Sequence, residues 1–346
     1  MDIYLLSVIY SAYKSNLPIV LIGLPLIIVG LWLGQIIAGV DALPIENSST
    51  LFGLLKQNFP WLWLEQAFAM LIIVLSGILL NYVVNQEEFF EKQTFIPAYA
   101  YVLVMSVFKD YQLLHPIIIS NFFMILAIRR LFHIHRGEDA RKIMFDAGLF
   151  LGVSALFYEY YVIFFLLAWV TLAVLRPFIW REHLLAFVGL ILPILFLLVY
   201  YFIASDSNWV WVDDLTSFFI PKEQYVSGFI ATSTLKQVVG IGVALLVGLL
   251  GARFFLRRQK SSSLRFKRVS NIVLFMGLIV VLLTGVHLAF RFESPTVLMS
   301  SVFSSFIVTF YFFYAKRQKL AAFIFYLITI LAVVNIYYDF VQKIIG

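Results

Sequence analysis

The stretch that decides the fold is IMFDAGLFLGVSALFYEYYVIFFLLAWVTLAVL, residues 143–175, which is apolar almost throughout. As one helix its 33 residues would be about 50 Å long, far more than the ~30 Å hydrocarbon core of a bilayer. The polar interruption YEYY at 158–161 lies near its middle, and Lys142 and Arg176 bracket it with positive charge. Because flanking positive charges stay on one side of a membrane, the pattern predicts two half-length helices joined by a tight hairpin at Glu159.

Positive charge recurs in the same way along the rest of the chain. Basic residues cluster between long apolar runs in four groups: Arg129–Lys142, Arg176–Arg181, Arg253–Arg268 and Lys316–Lys319. Short loops rich in Lys and Arg stay in the cytoplasm, so these groups predict one cytoplasmic face of a multi-span membrane protein. The composition agrees, since 62% of the residues are hydrophobic and 13% are charged, against about 25% charged in soluble domains.

The apolar runs predict the helices themselves. Besides the hairpin pair, a threshold of about 17 to 25 apolar residues per span predicts helices near 17–40, 65–85, 95–109, 114–132, 184–204, 236–256, 271–291, 297–315 and 320–341. The expected fold class is therefore all-α, a polytopic transmembrane helical bundle of about eleven spans in one membrane domain. Residues 1–16 are expected to lie along the membrane interface. The core would be 17–204, followed by an outer loop over 205–235 and a C-terminal part of four helices over 236–346.

Alternation of the spans fixes the expected topology. With the N-terminus in the cytoplasm, all four basic groups lie inside and most acidic segments lie outside. One loop dissents, because Gln86 to Lys92 contains three glutamates yet would be cytoplasmic. Acidic residues count little in the charge rule, so we retain the threading, with the three spans near 65–85, 95–109 and 114–132 as its weakest part. Residues 51–64 are amphipathic and rich in tryptophan, which predicts a short helix on the outer surface.

Small residues predict one site of close helix contact. Gly240, Gly242 and Gly248 lie in the span near 236–256, and glycine lets a neighbouring backbone approach. We therefore expect this span to pack closely against another helix at these positions.

Missing motifs exclude several kinds of chemistry. The chain contains no cysteine, which excludes disulfides, iron–sulfur clusters and thiolate zinc sites. It also lacks HExxH, a phosphate-binding GxxxxGK[ST] loop and a GxGxxG after a strand pattern. His133 and His135 stand beside arginines, where like charge opposes a metal cation, so neither a metal site nor a cofactor is expected. The net charge of +6 lies mostly in short loops and does not indicate nucleic-acid binding.

Ionisable residues near the outer face are the remaining candidates, because a charge inside a membrane is costly enough to suggest a function. Asp41 and Glu46 follow the first span and act either as a general base at the membrane surface or as part of a hydrated loop. Arg291, with Lys222 or Lys236, either binds a lipid phosphate or anchors a helix end. The other outer-face candidates are Lys109, Asp110, His115 and Glu159, the last of which also fits the wet turn of a hairpin.

The central part of the chain has distinctive polar positions within its apolar runs. They are His115-Pro116, Asn121, Arg129-Arg130, Phe145-Asp146, Arg176-Pro177 and Trp180-Arg181-Glu182. With them, HPIIISNFFMILAIRRLFHIH (115–135) and residues 143–196 resemble an uncharacterised family of integral membrane proteins from Bacteroidota, and SAYKSNLPIV (11–20) is similar to that family's start. The resemblance implies a bacterial inner-membrane location and no established activity.

The first outer loop with Asp41 and Glu46, the amphipathic stretch 51–64 and the break at Glu159 together resemble the GT-C glycosyltransferases. This resemblance implies that a polyprenyl-phosphate sugar enters from the bilayer and that Asp41 or Glu46 deprotonates the acceptor. It also implies that Arg291 or a loop lysine holds the phosphate. The outer loop departs from the GT-C pattern, since it is short and has no Asp-Glu pair.

Two other classes stay open. A non-catalytic subunit that scaffolds an envelope secretion or motility complex needs only packing surfaces, and the lack of a convergent catalytic motif favours it. A transporter would have Gly- or Pro-broken helices in matching halves. Pro97, Pro116 and Pro193 interrupt spans, but the second half shows no symmetric counterpart. The expected partners are the lipid bilayer, a polyprenyl-phosphate lipid or other membrane proteins.

Overall fold

The structure of the helical bundle is a computed structural model. The structure describes residues 10–15, 17, 19–38, 50–56, 61–106, 112–134, 139–204, 235–290 and 299–345. Every regular element in these ranges is a helix, which confirms the all-α fold class. Within them, four helices are long and apolar enough to cross a membrane: Leu62–Gln86, Pro116–His133, Trp180–Tyr200 and Leu264–Val286.

Besides a helical turn over residues 10–14, twelve α-helices and one 3-10 helix make up the described part of the bundle. In chain order the α-helices are α1 Ile19–Ala38, α2 Thr50–Lys56, α3 Leu62–Gln86, α4 Ile96–Ser106, α5 Pro116–His133, α6 Ala140–Phe157, α7 Phe165–Leu175, α8 Trp180–Ala204, α9 Leu235–Ser261, α10 Leu264–Phe290, α11 Ser301–Tyr314 and α12 Gln318–Ile345. The 3-10 helix, Glu159–Phe164, lies between α6 and α7.

One predicted helix is described only in part, and a second differs from the observed ones. The helix expected over 95–109 is described over Ile96–Ser106 as α4, and residues 107–109 lie outside the described residues. Nearly all of its residues are buried, so it is a core helix that neighbouring helices enclose. The surface helix expected over 51–64 divides in two. Residues 50–56 form α2, whose Phe52 is fully buried, and from Leu62 the chain already belongs to α3.

The break expected in 143–175 is observed. α6 ends at Phe157, Tyr158 is extended with φ −148° and ψ 110°, and the 3-10 helix begins at Glu159. α6 packs most extensively against α8 and α5, and only slightly against α7. The two halves of the stretch are therefore separate members of the bundle, and their stability comes from other helices.

Glycines bring α6 and α8 into backbone contact. A Cβ added to Gly148 would overlap the backbone of Ala186, and one added to Gly152 would lie 2.5 Å from the carbonyl oxygen of Leu190. Gly189 of α8 faces the α6 backbone in the same way. Small residues four positions apart let membrane helices approach to this distance. Because both contacts advance in the same direction, α6 and α8 run parallel.

The close packing expected of α9 occurs at a different glycine. A Cβ added to Gly248 would meet nothing within 4 Å, whereas one added to Gly251 would overlap the carbonyl of Ile307 in α11. The surroundings of Gly240 and Gly242 lie outside the described residues. Among the described residues, the close contact expected at Gly248 is therefore wrong, because nothing there approaches the position of an added Cβ.

The acidic loop after α3 lies among the basic groups. Glu91 pairs with Arg258 of α9 (Oε1–Nη1 3.1 Å), and Glu87 pairs with Arg265 of α10 (Oε2–Nη2 3.6 Å). The side-chain nitrogen of Gln86 lies 3.5 Å from His133 at the end of α5. The loop that opposes the charge rule is therefore partly neutralised by basic residues on neighbouring helices.

The other basic groups lie at the same end of the bundle. Arg130 of α5 pairs with Asp146 of α6 at 3.3 Å, and the antiparallel register of these helices places the start of α6 there. The parallel helix α8 therefore begins at this end as well, with Arg181 in its first turn. The guanidinium of Arg258 lies 5.9 Å from the ring centroid of Tyr314, next to Lys316. We call this the basic end.

The N-terminal segment is docked in the bundle over residues 10–15. The carbonyl of Tyr13 accepts hydrogen bonds from the backbone N–H of Phe95 at 2.9 Å and from the hydroxyl of Thr94 at 3.0 Å. The hydroxyl of Tyr10 donates to the carbonyl of Phe312. Both tyrosines are buried against other parts of the bundle, and the interfacial position of this segment stays a prediction.

The outer surface of the bundle is apolar. α8 exposes a row of large apolar side chains in its second half, among them Phe196, Val199, Phe202 and Ile203. A soluble protein rarely exposes so large a contiguous apolar patch. Hydrocarbon tails of a bilayer would cover it, in agreement with the apolar helices long enough to span one.

Candidate functional site

Most of the predicted site residues lie outside the described residues. These are Asp41, Glu46, Lys109, Asp110, Lys222 and Arg291. Lys236 lies in the first turn of α9, but its side chain is not among the described ones. His115 and Glu159 are both described, and the structure brings their segments together at the end opposite the basic end.

His115 caps the start of α5. Its Nδ1 accepts a hydrogen bond from the backbone N–H of Ile117 at 3.2 Å, and Pro116 takes the first helical position, where no N–H is needed. Burial lowers the pKa of His115 to about 3, so the ring is neutral at physiological pH and can accept this bond. Its ring centroid lies 6.4 Å from that of Tyr158, next to Glu159. The geometry therefore gives His115 a structural role as a helix cap.

An apolar groove with a volume of about 500 Å³ lies between α2, α6 and α8. Its walls are Leu51 and Leu54 from α2, Leu149, Val153 and Leu156 from α6, and Leu192, Pro193, Phe196, Leu197 and Tyr200 from α8. The groove lies toward the end opposite the basic end, because its lining comes from the second halves of α6 and α8. With almost no hydrogen-bonding group on its walls, it fits hydrocarbon and disfavours polar ligands.

The local sequence explains why a groove forms here. Gly148 and Gly152 hold the α6 and α8 backbones together on one face of α6, and Pro193 packs against Gly152. The larger side chains Leu149 and Val153 then stand beside the crossing and form one wall. α2 closes the other side, and in the sequence it directly follows the loop that carries Asp41 and Glu46. The groove thus adjoins the segment from which the expected carboxylates come.

A buried polar cluster lies in the interior, apart from the groove. Asn121 of α5 donates from Nδ2 to the hydroxyl of Ser301 in α11 at 3.0 Å, and its Oδ1 accepts from the hydroxyl of Tyr161 at 2.6 Å. Ser120 and Ser154 exchange two hydrogen bonds, each hydroxyl donating to the other's backbone carbonyl at 2.9 Å. These bonds tie α5 to α6, to α11 and to the 3-10 helix.

Sequence reasoning did not single out this cluster as a site. In the sequence, Asn121 and Tyr161 are polar residues within apolar runs. This pattern is a signal for such a cluster, since a polar side chain at membrane depth needs a partner inside the protein. The partner could not be predicted, because Ser301 lies far along the chain from Asn121. In the described ranges, no three His, Asp or Glu side chains converge as metal ligands.

Comparisons with known proteins give no relative. No family model, no curated protein and no solved structure matches the chain. The likeness to a Bacteroidota membrane family and to GT-C glycosyltransferases stays a prediction.

Proposed function

We propose that the protein binds a polyprenyl-phosphate lipid in the groove between α2, α6 and α8 and acts on the sugar linked to it. The observation that carries this proposal is the groove itself, whose walls are almost wholly apolar. Such a surface accepts hydrocarbon and offers no partner to a polar group, so a prenyl chain that enters from the bilayer has the chemistry that the groove fits. The phosphate and sugar would project beyond the groove toward the loop that precedes α2.

The proposal includes a topology and a location. The protein would cross the bacterial inner membrane with about eleven spans, with its N-terminus and the basic end in the cytoplasm and the groove in the outer half of the bilayer. The pairing of Glu91 with Arg258 supports this threading, because it joins the acidic loop after α3 to a basic group that the charge rule places in the cytoplasm. Residues 10–15 lie at the same end, because Tyr10 bonds to Phe312 near the end of α11 and Tyr13 bonds to Phe95 just after the acidic loop. This position supports a cytoplasmic N-terminus.

The residues outside the described part take the polar roles. Asp41 or Glu46 would accept the proton of an acceptor hydroxyl, whose oxygen then forms a bond to the anomeric carbon of the sugar. The bond between that carbon and the phosphate oxygen breaks, and the polyprenyl phosphate leaves with the electron pair. Arg291, with Lys222 or Lys236, would stabilise the charge on the departing phosphate, since a guanidinium fits it with two hydrogen bonds.

A photoreactive polyprenyl phosphate in nanodiscs tests the binding step. Val153→Trp would fill the groove from α6, and Leu184→Trp is the matched control, because Leu184 lies on the exposed face of α8 away from the groove. We expect V153W to lose most of the labelling and L184W to keep it. Equal labelling of wild type and both variants contradicts the proposal.

The same preparations separate the competing functions. Purification in mild detergent followed by mass spectrometry of lipids and proteins should recover polyprenyl phosphate from the wild type. Stoichiometric membrane-protein partners without this lipid would favour a scaffold of an envelope complex. Solute uptake in proteoliposomes, with no bound polyprenyl lipid, would favour a transporter.

A further inference from the structure

Basic side chains of two neighbouring helices lie together at the basic end. Arg141 and Lys142 belong to the first turn of α6, Arg181 belongs to the first turn of α8, and all three are exposed. α6 and α8 run parallel, and the contact of Gly148 with Ala186 sets their register. Followed back by about two turns, this register brings the start of α6 level with the start of α8. The three cations therefore share one end of one helix pair.

The acidic side chains around these cations already have other partners. Glu182 is buried and pairs with Arg176 (Oε1–Nη1 3.6 Å). Asp146 pairs with Arg130 at 3.3 Å. The carboxylate of Asp139 caps α6, where it accepts a hydrogen bond from a backbone N–H of the first turn at 3.1 Å. Within the described ranges the three cations form no ion pair, so this surface presents positive charge to an external anion.

An exposed apolar row begins at Arg181. Leu184, Val188 and Leu195 follow it at helical spacing, and all three side chains are exposed. From Leu184 to Leu195 the row is about 16 Å long, close to half of the ~30 Å hydrocarbon core of a bilayer. Trp180 is also exposed beside the arginine, and tryptophan favours the boundary between membrane and water. Positive charge therefore stands at the head of an apolar surface about one leaflet deep.

We propose that an anionic phospholipid binds at the start of α6 and α8, with its phosphate on Arg181 and Lys142 and an acyl chain along the apolar row of α8. The arginine can hold two phosphate oxygens at once, while the lysine acts as a point charge. Basic residues at a membrane boundary attract anionic headgroups. A soluble anion would meet only the charges, whereas the apolar row selects a lipid. The site shares no residue with the groove, so it does not depend on polyprenyl binding.

Native mass spectrometry of the full chain, titrated with phosphatidylglycerol, tests the two charges. The double variant Lys142→Gln with Arg181→Gln should weaken binding of the first phosphatidylglycerol by about tenfold or more. Lys316→Gln with Lys319→Gln is the matched control, because it removes the same charge from exposed positions elsewhere at the basic end. We expect this control to keep the wild-type affinity. Unchanged binding in K142Q/R181Q overturns the proposal, and so does an equal loss in both double variants, which would show an effect of net charge alone.

A second measurement leaves every charge in place. The protein is reconstituted in phosphatidylcholine vesicles that contain the same small fraction of either brominated phosphatidylglycerol or brominated phosphatidylcholine, since bromine quenches tryptophan fluorescence on contact. Trp180→Phe and Trp63→Phe give the contribution of each ring by difference, and Trp63 is exposed at the opposite end of the bundle. We expect phosphatidylglycerol to quench Trp180 more strongly than phosphatidylcholine does, with no such preference at Trp63. Equal quenching of Trp180 by the two lipids also overturns the proposal.

Discussion

Glu91 lies 3.1 Å from Arg258, and this ion pair joins the loop after α3 to the end of α9. In the sequence, this loop is the segment that is acidic although the threading places it on the cytoplasmic side, where basic loops are expected. In space its glutamates lie among arginines of other helices, which reduces the net charge that it presents. An exposed ion pair contributes less than about 1 kcal/mol to stability, so the pair matters here mainly as a marker of topology.

Topology can be checked directly because the chain has no cysteine. Lys92→Cys in the loop after α3 and Ser261→Cys at the end of α9 should react with a membrane-impermeant maleimide from the cytoplasmic side. Trp61→Cys, exposed at the start of α3, should react only from the opposite side. Labelling of K92C and W61C from the same side contradicts the threading.

Glycine packing between α6 and α8 predicts a strong positional effect on stability. Gly148→Ala and Gly152→Ala each place a methyl group against the α8 backbone, and we expect each to destabilise the protein by about 1–3 kcal/mol. Gly248→Ala is the matched control, because its added methyl meets open space and alanine favours the helix by up to about 1 kcal/mol. Thermal unfolding in one detergent compares the three. Equal effects at Gly148 and Gly248 would show that the two helices are not in backbone contact.

The helix cap at His115 predicts a pH dependence. Burial lowers the pKa of His115 to about 3, below the value of about 6.5 in an unfolded chain. The unfolded state therefore binds the proton more readily, so stability is complete above pH 6.5 and is lost as the pH falls toward 3. At pH 5 the resulting loss in the free energy of unfolding is about 2 kcal/mol relative to pH 8.

His115→Asn isolates that contribution. Asparagine keeps a side-chain acceptor for the cap but does not titrate. We expect similar unfolding midpoints for the two proteins at pH 8 and a smaller loss in H115N between pH 7 and pH 5. Parallel pH profiles for wild type and variant would show that His115 does not titrate with the expected shift.

The expected catalytic carboxylates make a separate prediction. Asp41→Asn and Glu46→Gln should leave the abundance of the protein and the labelling by polyprenyl phosphate unchanged. At least one of them should abolish transfer of the sugar, because the amide cannot accept the acceptor's proton. Full transfer activity in both variants would remove the general-base role from this loop and leave lipid binding intact.

Helix positions followed from the sequence because membrane depth limits helix length so strongly. The stretch 143–175 was too long for one span, and the chain does break there, at Tyr158. The partners of each helix did not follow in the same way. The spacing of Gly148 and Gly152 was a visible sign of close packing, but the sequence does not show that α8 is the helix that meets it.

Positions that depend on distant contacts were the hardest to predict. Tyr10 and Tyr13 fit a membrane interface by residue type, yet they are buried, because Phe312 and Phe95 lie beside them in the folded chain. The groove has the same origin, since its walls come from three helices that are not consecutive in the sequence. Local sequence patterns predict which segments are helices, whereas contacts and grooves between helices are seen only in the folded structure.

Backbone contact between α6 and α8 limits how the groove can work. The two helices cannot slide or separate without losing the backbone contacts at Gly148, Gly152 and Gly189, so they form one rigid wall of the groove. Any widening of the groove must come from α2, a helix of 7 residues whose Phe52 is fully buried. The proposed entry of a prenyl chain would then depend on how readily Phe52 of α2 leaves its buried position.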